Sequence, residues 1–366
     1  LYVGGEFTSI GGQSRNRIAA IDASTGAVTS WNPGATGTVY SMIMSGSVLY
    51  VGGGFIMIGG QSRNRIASID VSTGAVTSWN PDVNNSIRTM QLDGSVLYIG
   101  GYFTSVGGLT RNYVAAIDTE TGAATSWNPD VTGIVYTMQL SGLTLYIGGM
   151  IMSVGGQSRN RLAAISTKLG TVITTWNPGA DGIVYTMKLN GSVLYAGGSF
   201  TIIGGQSRNH IAAIDTSSGA VDSWNLDSSN TVRTIQLSES YLYVGGEFTS
   251  IGGQARNRIA AIDVSTGVAS PWDPGANGSV VTMQLSGSVL YVGGYFTLIG
   301  GQSRNYIAAI DVSTGSATSW NPSADNGVLT MQLSGSVLYV GGAFTSISGQ
   351  LRNYIASIDA STGAAN

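Results

Sequence analysis

Leu1-Tyr2-Val3-Gly4-Gly5 opens the chain, and close copies of this pentad start again at Leu49, Leu97, Leu145, Leu194, Leu242, Leu290 and Leu338. The intervals are 48, 48, 48, 49, 48, 48 and 48 residues. A period this constant marks a repeat architecture and overrides a domain count by length. One unit recurs from end to end without a linker, so residues 1–366 read as a single domain of eight tandem repeats, the first and last incomplete.

The stretch from Ser86 to Gly133 shows what each copy builds. Ile87-Arg88-Thr89-Met90-Gln91-Leu92 alternates with period two and predicts a first strand. Asp93-Gly94 is a tight hairpin signal, replaced by Ser-Gly in most copies. Val96-Leu97-Tyr98-Ile99 predicts a second strand that runs into Gly100-Gly101, where two glycines imply a bulge or a close approach by another group. Gly107-Gly108 opens a loop ending at Arg111-Asn112. Tyr113-Val114-Ala115-Ala116-Ile117 predicts a third strand, apolar on both faces and so buried between layers. Asp118-Thr119-Glu120-Thr121-Gly122 predicts a hairpin with an Asp cap and a positive-φ glycine. Ala124-Thr125-Ser126-Trp127 predicts a fourth strand, and Pro129-Asp130 with Gly133 turns the chain into the next unit. Four short antiparallel strands per repeat, with no helical pattern, predict an all-β propeller of 48-residue blades.

Second and third strands occur eight times, first strands and the Trp of the fourth seven times. Eight blades are therefore favoured, with the strands not seen lying outside this stretch. Seven blades and an open, screw-like stack are the alternatives.

Composition narrows the function. Hydrophobic residues make up 43%, enough for a large core without disulfides or metal. There is no Cys, which removes thiolate chemistry and thiolate zinc sites. Charged residues are only 10%, the net charge is −3 and there is no basic run, so nucleic acid is a poor partner. No apolar run approaches the roughly 18 residues of a membrane span. The first residue is not Met and lies inside a repeat, so absent targeting signals carry little weight.

Strand geometry sorts the loops. The third strand separates Arg15 from Asp22 by roughly 20 Å at about 3.3 Å per residue, so these recurrent charges lie on opposite faces. The Gly-Gly-Gln-Ser-Arg-Asn loop shares a face with the Trp-Asn-Pro turn. Arg15, Arg63, Arg111, Arg159, Arg208, Arg256, Arg304 and Arg352 recur in every copy. A ring of guanidinium groups can grip an acidic ligand. Stacking on Trp and bonding to loop carbonyls, blade against blade, is the plainer reading and the one adopted, because packing needs equal copies and a single binding site does not.

The positions where copies differ carry more information. After Arg-Asn come Arg17, Arg65, Tyr113, Arg161, His210, Arg258, Tyr306 and Tyr354. After the double Gly come Glu6, Gly54, Tyr102, Met150, Ser199, Glu247, Tyr295 and Ala343. In the first strand come Tyr40, Arg88, Tyr136, Tyr185, Arg233, Val281 and Leu329. Mixed Tyr and Arg suit sugar binding by stacking and bidentate bonds; surface drift after duplication is the simpler alternative. We take Arg17, Tyr113, Arg161, His210, Arg258, Tyr306 and Tyr354 as the candidate ligand or interface surface. The unit starting at Leu145 departs most: Ser166 replaces the hairpin Asp, Lys168-Leu169 lengthens that loop, and Met150-Ile151-Met152 replaces x-Phe-Thr.

Catalytic signals are absent. His210 is the single histidine, and the repeated Asp residues read as turn caps rather than a metal site. No catalytic residue, cofactor or metal is assigned. Asn84, Asn190 and Asn277 fit the glycosylation sequon.

Leu97-Tyr98-Ile99-Gly100-Gly101-Tyr102-Phe103-Thr104, continuing to Arg111-Asn112 and Ala116-Ile117-Asp118, resembles the delta-sixty type repeats of bacterial secreted β-propellers. It is loosely similar to Tyr-Val-Thr-Asn propeller repeats. The resemblance covers the whole chain and implies a propeller of large extracellular or surface proteins. That family shares no catalytic motif, so no site residue follows from it. Here the copies are nearer to identity than the family pattern, which points to recent amplification and a structural use. The expectation is thus a non-enzymatic, extracellular or cell-surface scaffold that associates with itself into a layer or fibre. The alternative is a glycan-binding propeller using Tyr and Arg.

Overall fold

The computed structural model describes residues 1–366 apart from 23, 24, 225 and 366, so part of the first Asp-Ala-Ser-Thr-Gly hairpin lies outside the described residues. The described residues are strands, turns and irregular segments, with no helix long and apolar enough to cross a membrane. The chain is a β-propeller repeat protein.

Each repeat builds one blade. In the reference copy Ile87–Asp93 pairs with Val96–Gly101, which pairs with Val114–Asp118, all antiparallel. Ile99 and Val114–Ile117 are buried. The fourth strand is short: Ala124 bridges Ile117, with Asp118 N–H donating to Ala123 O at 2.9 Å and Thr125 N–H to Ala116 O at 2.9 Å. It stops there because the Thr125 hydroxyl accepts the next free amide, Trp127 N–H, at 3.2 Å. The loop expected over Gly107-Gly108 is instead a small ribbon, Ser105–Val106 against Leu109–Thr110. Both glycines take positive φ, 57° and 75°, which glycine adopts freely and which tightens the turn enough for a ribbon to form.

The double glycine has two distinct jobs. A Cβ on Gly100 would lie 2.8 Å from Val135 in the next copy, so the first glycine lets neighbouring blades close on each other. A Cβ on Gly101 would lie 2.2 Å from the Ser86 carbonyl oxygen, so the second lets the first strand of its own blade approach. The register there slips: Ile87 faces Gly101 and Thr89 faces Gly100, leaving Arg88 as an extra residue without a cross-strand partner. Such a bulge re-aims a side chain.

The chain divides into two compact units. Unit 1 holds Leu1–Ile21, Val28–Met187 and Thr216–Ala220. Its cores span successive copies, as where Tyr98 and Trp127 pack with Val135, Met138 and Ile147. Successive copies are also pinned by polar ends of aromatic residues: Trp79 Nε1 donates to Asp118 O at 3.0 Å and the Tyr50 hydroxyl to Thr119 O at 3.2 Å. Unit 2 holds Asp22–Ala27, Lys188–Asp215 and Val221–Asn366. It uses the same pins, Trp320 Nε1 to Asp359 O at 2.9 Å and the Tyr291 hydroxyl to Ala360 O at 2.7 Å. Burial, and after it the Asp22 carboxylate, raises the Tyr339 hydroxyl above its ordinary value.

The recurrent arginines bond carbonyls as expected, yet they act inside their own copy, and the ring partner of each Trp is a Tyr. Arg111 donates to Thr110 O at 2.8 Å and to Thr125 O at 2.7 Å. Arg63 and Arg304 reach Thr77 O and Thr318 O in the same way, each at 2.6 Å. The guanidinium therefore covers a free carbonyl on the outermost strand, which blunts an edge that would otherwise template further pairing. Tyr50 meets Trp79 with ring centroids 5.1 Å apart, and Tyr291 meets Trp320 at 5.2 Å.

Candidate functional site

The residue after Arg-Asn, immediately before the third strand, has an unusual backbone. Arg17, Arg65, Tyr113, Arg161, His210, Arg258, Tyr306 and Tyr354 all have φ between 62° and 69°. Non-glycine residues seldom adopt this left-handed region. Here the conformation is held from both sides: Tyr113 N–H donates to Phe103 O at 2.8 Å while Tyr113 O accepts from Gly101 N–H at 3.0 Å. Arg17 and Arg161 also bond backbone carbonyls, Ala35 O at 3.2 Å and Ile151 O at 3.3 Å, and Arg258 bonds Glu247 O. Tyr113 and Tyr306 lie against the core, His210 is half-buried, and Tyr354 is exposed. The structure thus spreads the seven candidates one per blade and anchors most of them to the scaffold.

A different set converges. In unit 1 the bulge residues Tyr40, Arg88 and Tyr136, with Tyr185 at the same position, come together with Tyr102 and Met150, which follow double glycines. The Arg88 guanidinium carbon sits 4.1 Å from the Tyr40 ring centroid and 5.2 Å from that of Tyr102. Tyr102 and Tyr136 meet edge to face at 6.3 Å, and Tyr136 and Tyr185 at 6.3 Å with planes 33° apart. The Tyr102 hydroxyl lies 3.5 Å from that of Tyr136, which lies 3.4 Å from Met150 Sδ. Burial, then the hydrogen bond from Tyr102, pushes the Tyr136 hydroxyl up to about 12. Tyr40 is 40% and Met150 38% exposed, so a molecule from solvent can reach the row. Arg88 has no hydrogen bond or ion pair among the described residues, and its Nε is enclosed. In the sequence these positions stand out only as variable. Their convergence is not legible there because the contacts cross between successive copies; the double glycine opposite the bulge is the available signal.

Unit 2 places other chemistry at the matching positions. Arg233 donates through Nε and Nη2 to Glu247 Oε1, at 2.9 and 2.7 Å. Val281 and Leu329 fill the bulges of the following copies.

Turn caps account for the repeated Asp residues. Asp70 Oδ1 accepts from the Ser72 and Thr73 amides and hydroxyls at 2.6 to 3.0 Å. The Ser72 hydroxyl foremost, then the Thr73 amide, lowers its carboxyl to about 2. Among the described residues no three His, Cys, Asp or Glu gather as a metal site would require. The Asn84 and Asn277 amides are engaged with a segment 20 residues further along the chain, donating to Thr104 Oγ1 at 2.9 Å and Thr297 Oγ1 at 2.8 Å. Asn190 ends a first strand at an exposed hairpin.

Blades of this construction define the β-propeller class. The family model described as outer membrane protein assembly factor BamB matches residues 4–176 and again 148–366. The chain belongs to that family. No curated protein sequence matches it. Among solved structures, the computationally designed Ika8 protein is similar at TM-score 0.63 and 13% identity, over 96% of this chain and 95% of that one. Dihydro-heme d1 dehydrogenase NirN, in complex with DHE, gives 0.66 and 11% identity over 100% and 72%. BamB from Moraxella catarrhalis gives 0.55 and 16% identity over 94% and 89%. At these identities the likeness is one of fold.

Proposed function

We propose that the chain is a non-catalytic recognition scaffold acting outside the cytoplasm, and that it binds carbohydrate on the Tyr40, Arg88, Tyr102, Tyr136 and Tyr185 row. The observation that supports this is the row itself: repeat-wide polar residues are consumed by turns and edges, whereas these side chains converge and stay reachable. Tyrosine faces stack on the apolar faces of sugar rings while their hydroxyls bond sugar hydroxyls. An exported setting draws support from the BamB family membership and from the likeness of the pentad repeats to delta-sixty type secreted propellers. Titration calorimetry with soluble oligosaccharides, chosen by a glycan array, tests the reading. Binding should fall at least tenfold in Tyr102→Ala and Tyr136→Ala; an array without a hit, or unchanged binding in both variants, would reject it.

A second reading, self-association into a layer or fibre, is favoured by one feature of the blade that contains Leu145. Leu143 and Leu169, 70% and 69% exposed, stand on neighbouring hairpins tied by Thr167 N–H to Leu143 O at 3.0 Å. Light scattering and electron microscopy should then show ordered oligomers that Leu143→Ser with Leu169→Ser disperses. A strictly monomeric parent protein would end this reading.

A further inference from the structure

We infer that the sugar bound by the unit 1 row is acidic, with a carboxylate held by Arg88; the inference rests on the carbohydrate-binding reading above. Tyr40 and Tyr102 cover the guanidinium at 4.1 and 5.2 Å, which leaves its edge as the outlet for its donors. An arginine carries five N–H donors and no acceptor, and it matches a carboxylate with two parallel bonds. Arg88 has no carboxylate within ion-pair distance among the described residues; its Nε is enclosed, so Nη1 and Nη2 are the donors it can offer a ligand.

Arg233 shows what the same position does when its anion is supplied by the chain. Glu247 follows its double glycine as Tyr102 follows Gly100-Gly101, and its Oε1 takes both Nε and Nη2 of Arg233. Replacing that glutamate by tyrosine removes the internal anion and adds an aromatic face. The Arg88 copy is therefore built to take an anion from outside and to lay a flat ring beside it.

The rest of the row limits the ligand. Tyr136 is protonated at neutral pH, as a tyrosine with the ordinary value of 10.0 is, and burial with the Tyr102 hydrogen bond pushes it further up to about 12, so its hydroxyl adds no charge. The row presents one cation beside several aromatic rings. One guanidinium suits one carboxylate, and adjoining rings suit the pyranose that carries it: a uronic-acid unit. An acidic peptide would satisfy Arg88 but leave the tyrosine faces without a matching ring.

The test is titration calorimetry of the whole chain with trigalacturonate, its methyl ester, and triglutamate. The acid should bind at least tenfold more tightly than the ester and weaken as salt rises. Arg88→Gln and Tyr102→Glu should each lose at least tenfold for the acid, the second by supplying an internal anion. Arg233→Gln should leave affinity unchanged, and melting curves should show all variants folded. Equal binding of acid and ester would overturn the carboxylate assignment while sparing the carbohydrate reading. Triglutamate binding as tightly as trigalacturonate would overturn it in favour of a peptide. Absence of binding by both sugars, with another glycan bound on the array, would reject uronic acid alone.

Discussion

Arg88 and Arg233 occupy the same bulge on the same scaffold and meet different fates. Arg233 is closed by Glu247 at 2.7 Å; Arg88 lies between two tyrosines with no anion among the described residues. A single change after the double glycine separates an arginine paired with a carboxylate from one flanked by aromatic rings. The blade beneath is common to both. Gly100 and Gly245 face Val135 and Val280 in turn, and Gly101 and Gly246 would each carry a Cβ 2.2 Å from a carbonyl oxygen. A repeat protein can thus vary its surface chemistry without disturbing its frame, provided the variation falls on the bulge and the residue opposite it.

The largest expected effect concerns that frame. Gly100→Val with Gly101→Val should destabilise the protein by about 3 kcal/mol or more, since overpacking meets backbone that cannot yield. Gly245→Val with Gly246→Val should cost a similar amount. Denaturant unfolding would show it; an unchanged midpoint in either pair would break the claim of a common frame.

Acid is the next lever. Asp70 in unit 1 and Asp311 and Asp359 in unit 2 have carboxyls lowered from an ordinary 3.8 to about 2, chiefly by serine hydroxyls and then by threonine amides. A pKa lower in the folded than in the unfolded chain favours the fold above pH ~4 and loses that contribution as pH falls toward 2. Melting temperature should decline across that window, and less steeply in Asp70→Asn and Asp311→Asn. A flat profile in the parent protein would contradict the turn-cap assignment.

Smaller effects separate the two arginines. Glu247→Gln should cost about 0.5 kcal/mol, the scale of a partly exposed ion pair. Tyr136→Phe should leave stability at neutral pH nearly unchanged and remove one tyrosine that titrates near 12, readable by ultraviolet absorbance. Because the folded pKa is raised above 10.0, stability of the parent should fall as pH rises from 10 through 12, a decline that Tyr136→Phe lacks. Loss of a tyrosine titrating at its ordinary value would contradict the enclosed geometry of the row.

Much of the blade was legible in the sequence because each feature is local. Asp93-Gly94 and Asp118 to Gly122 encode their turns by residue type, and Gly100-Gly101 announced a close approach that Val135 supplies. The left-handed backbone at Arg17, Tyr113 and their equivalents was not legible, since neither Arg nor Tyr favours it; flanking hydrogen bonds impose it. The ribbon at Gly107-Gly108 was hidden for a similar reason, its strands being two residues each. The Tyr–Arg row was visible only as unlike residues at equivalent positions. Its assembly depends on Arg88 reaching Tyr40 in the preceding copy and Tyr136 meeting Tyr185 in the following one. Blade-to-blade geometry decides those contacts, and no single repeat contains it.

The central claim, that recognition resides in the Arg88 row while the repeat-wide residues serve the fold, is tested most directly by trigalacturonate titration of the parent protein beside Arg88→Gln and Arg233→Gln. The parent should bind, Arg88→Gln should lose at least tenfold, and Arg233→Gln should be unchanged. Equal affinity in all three proteins would contradict it.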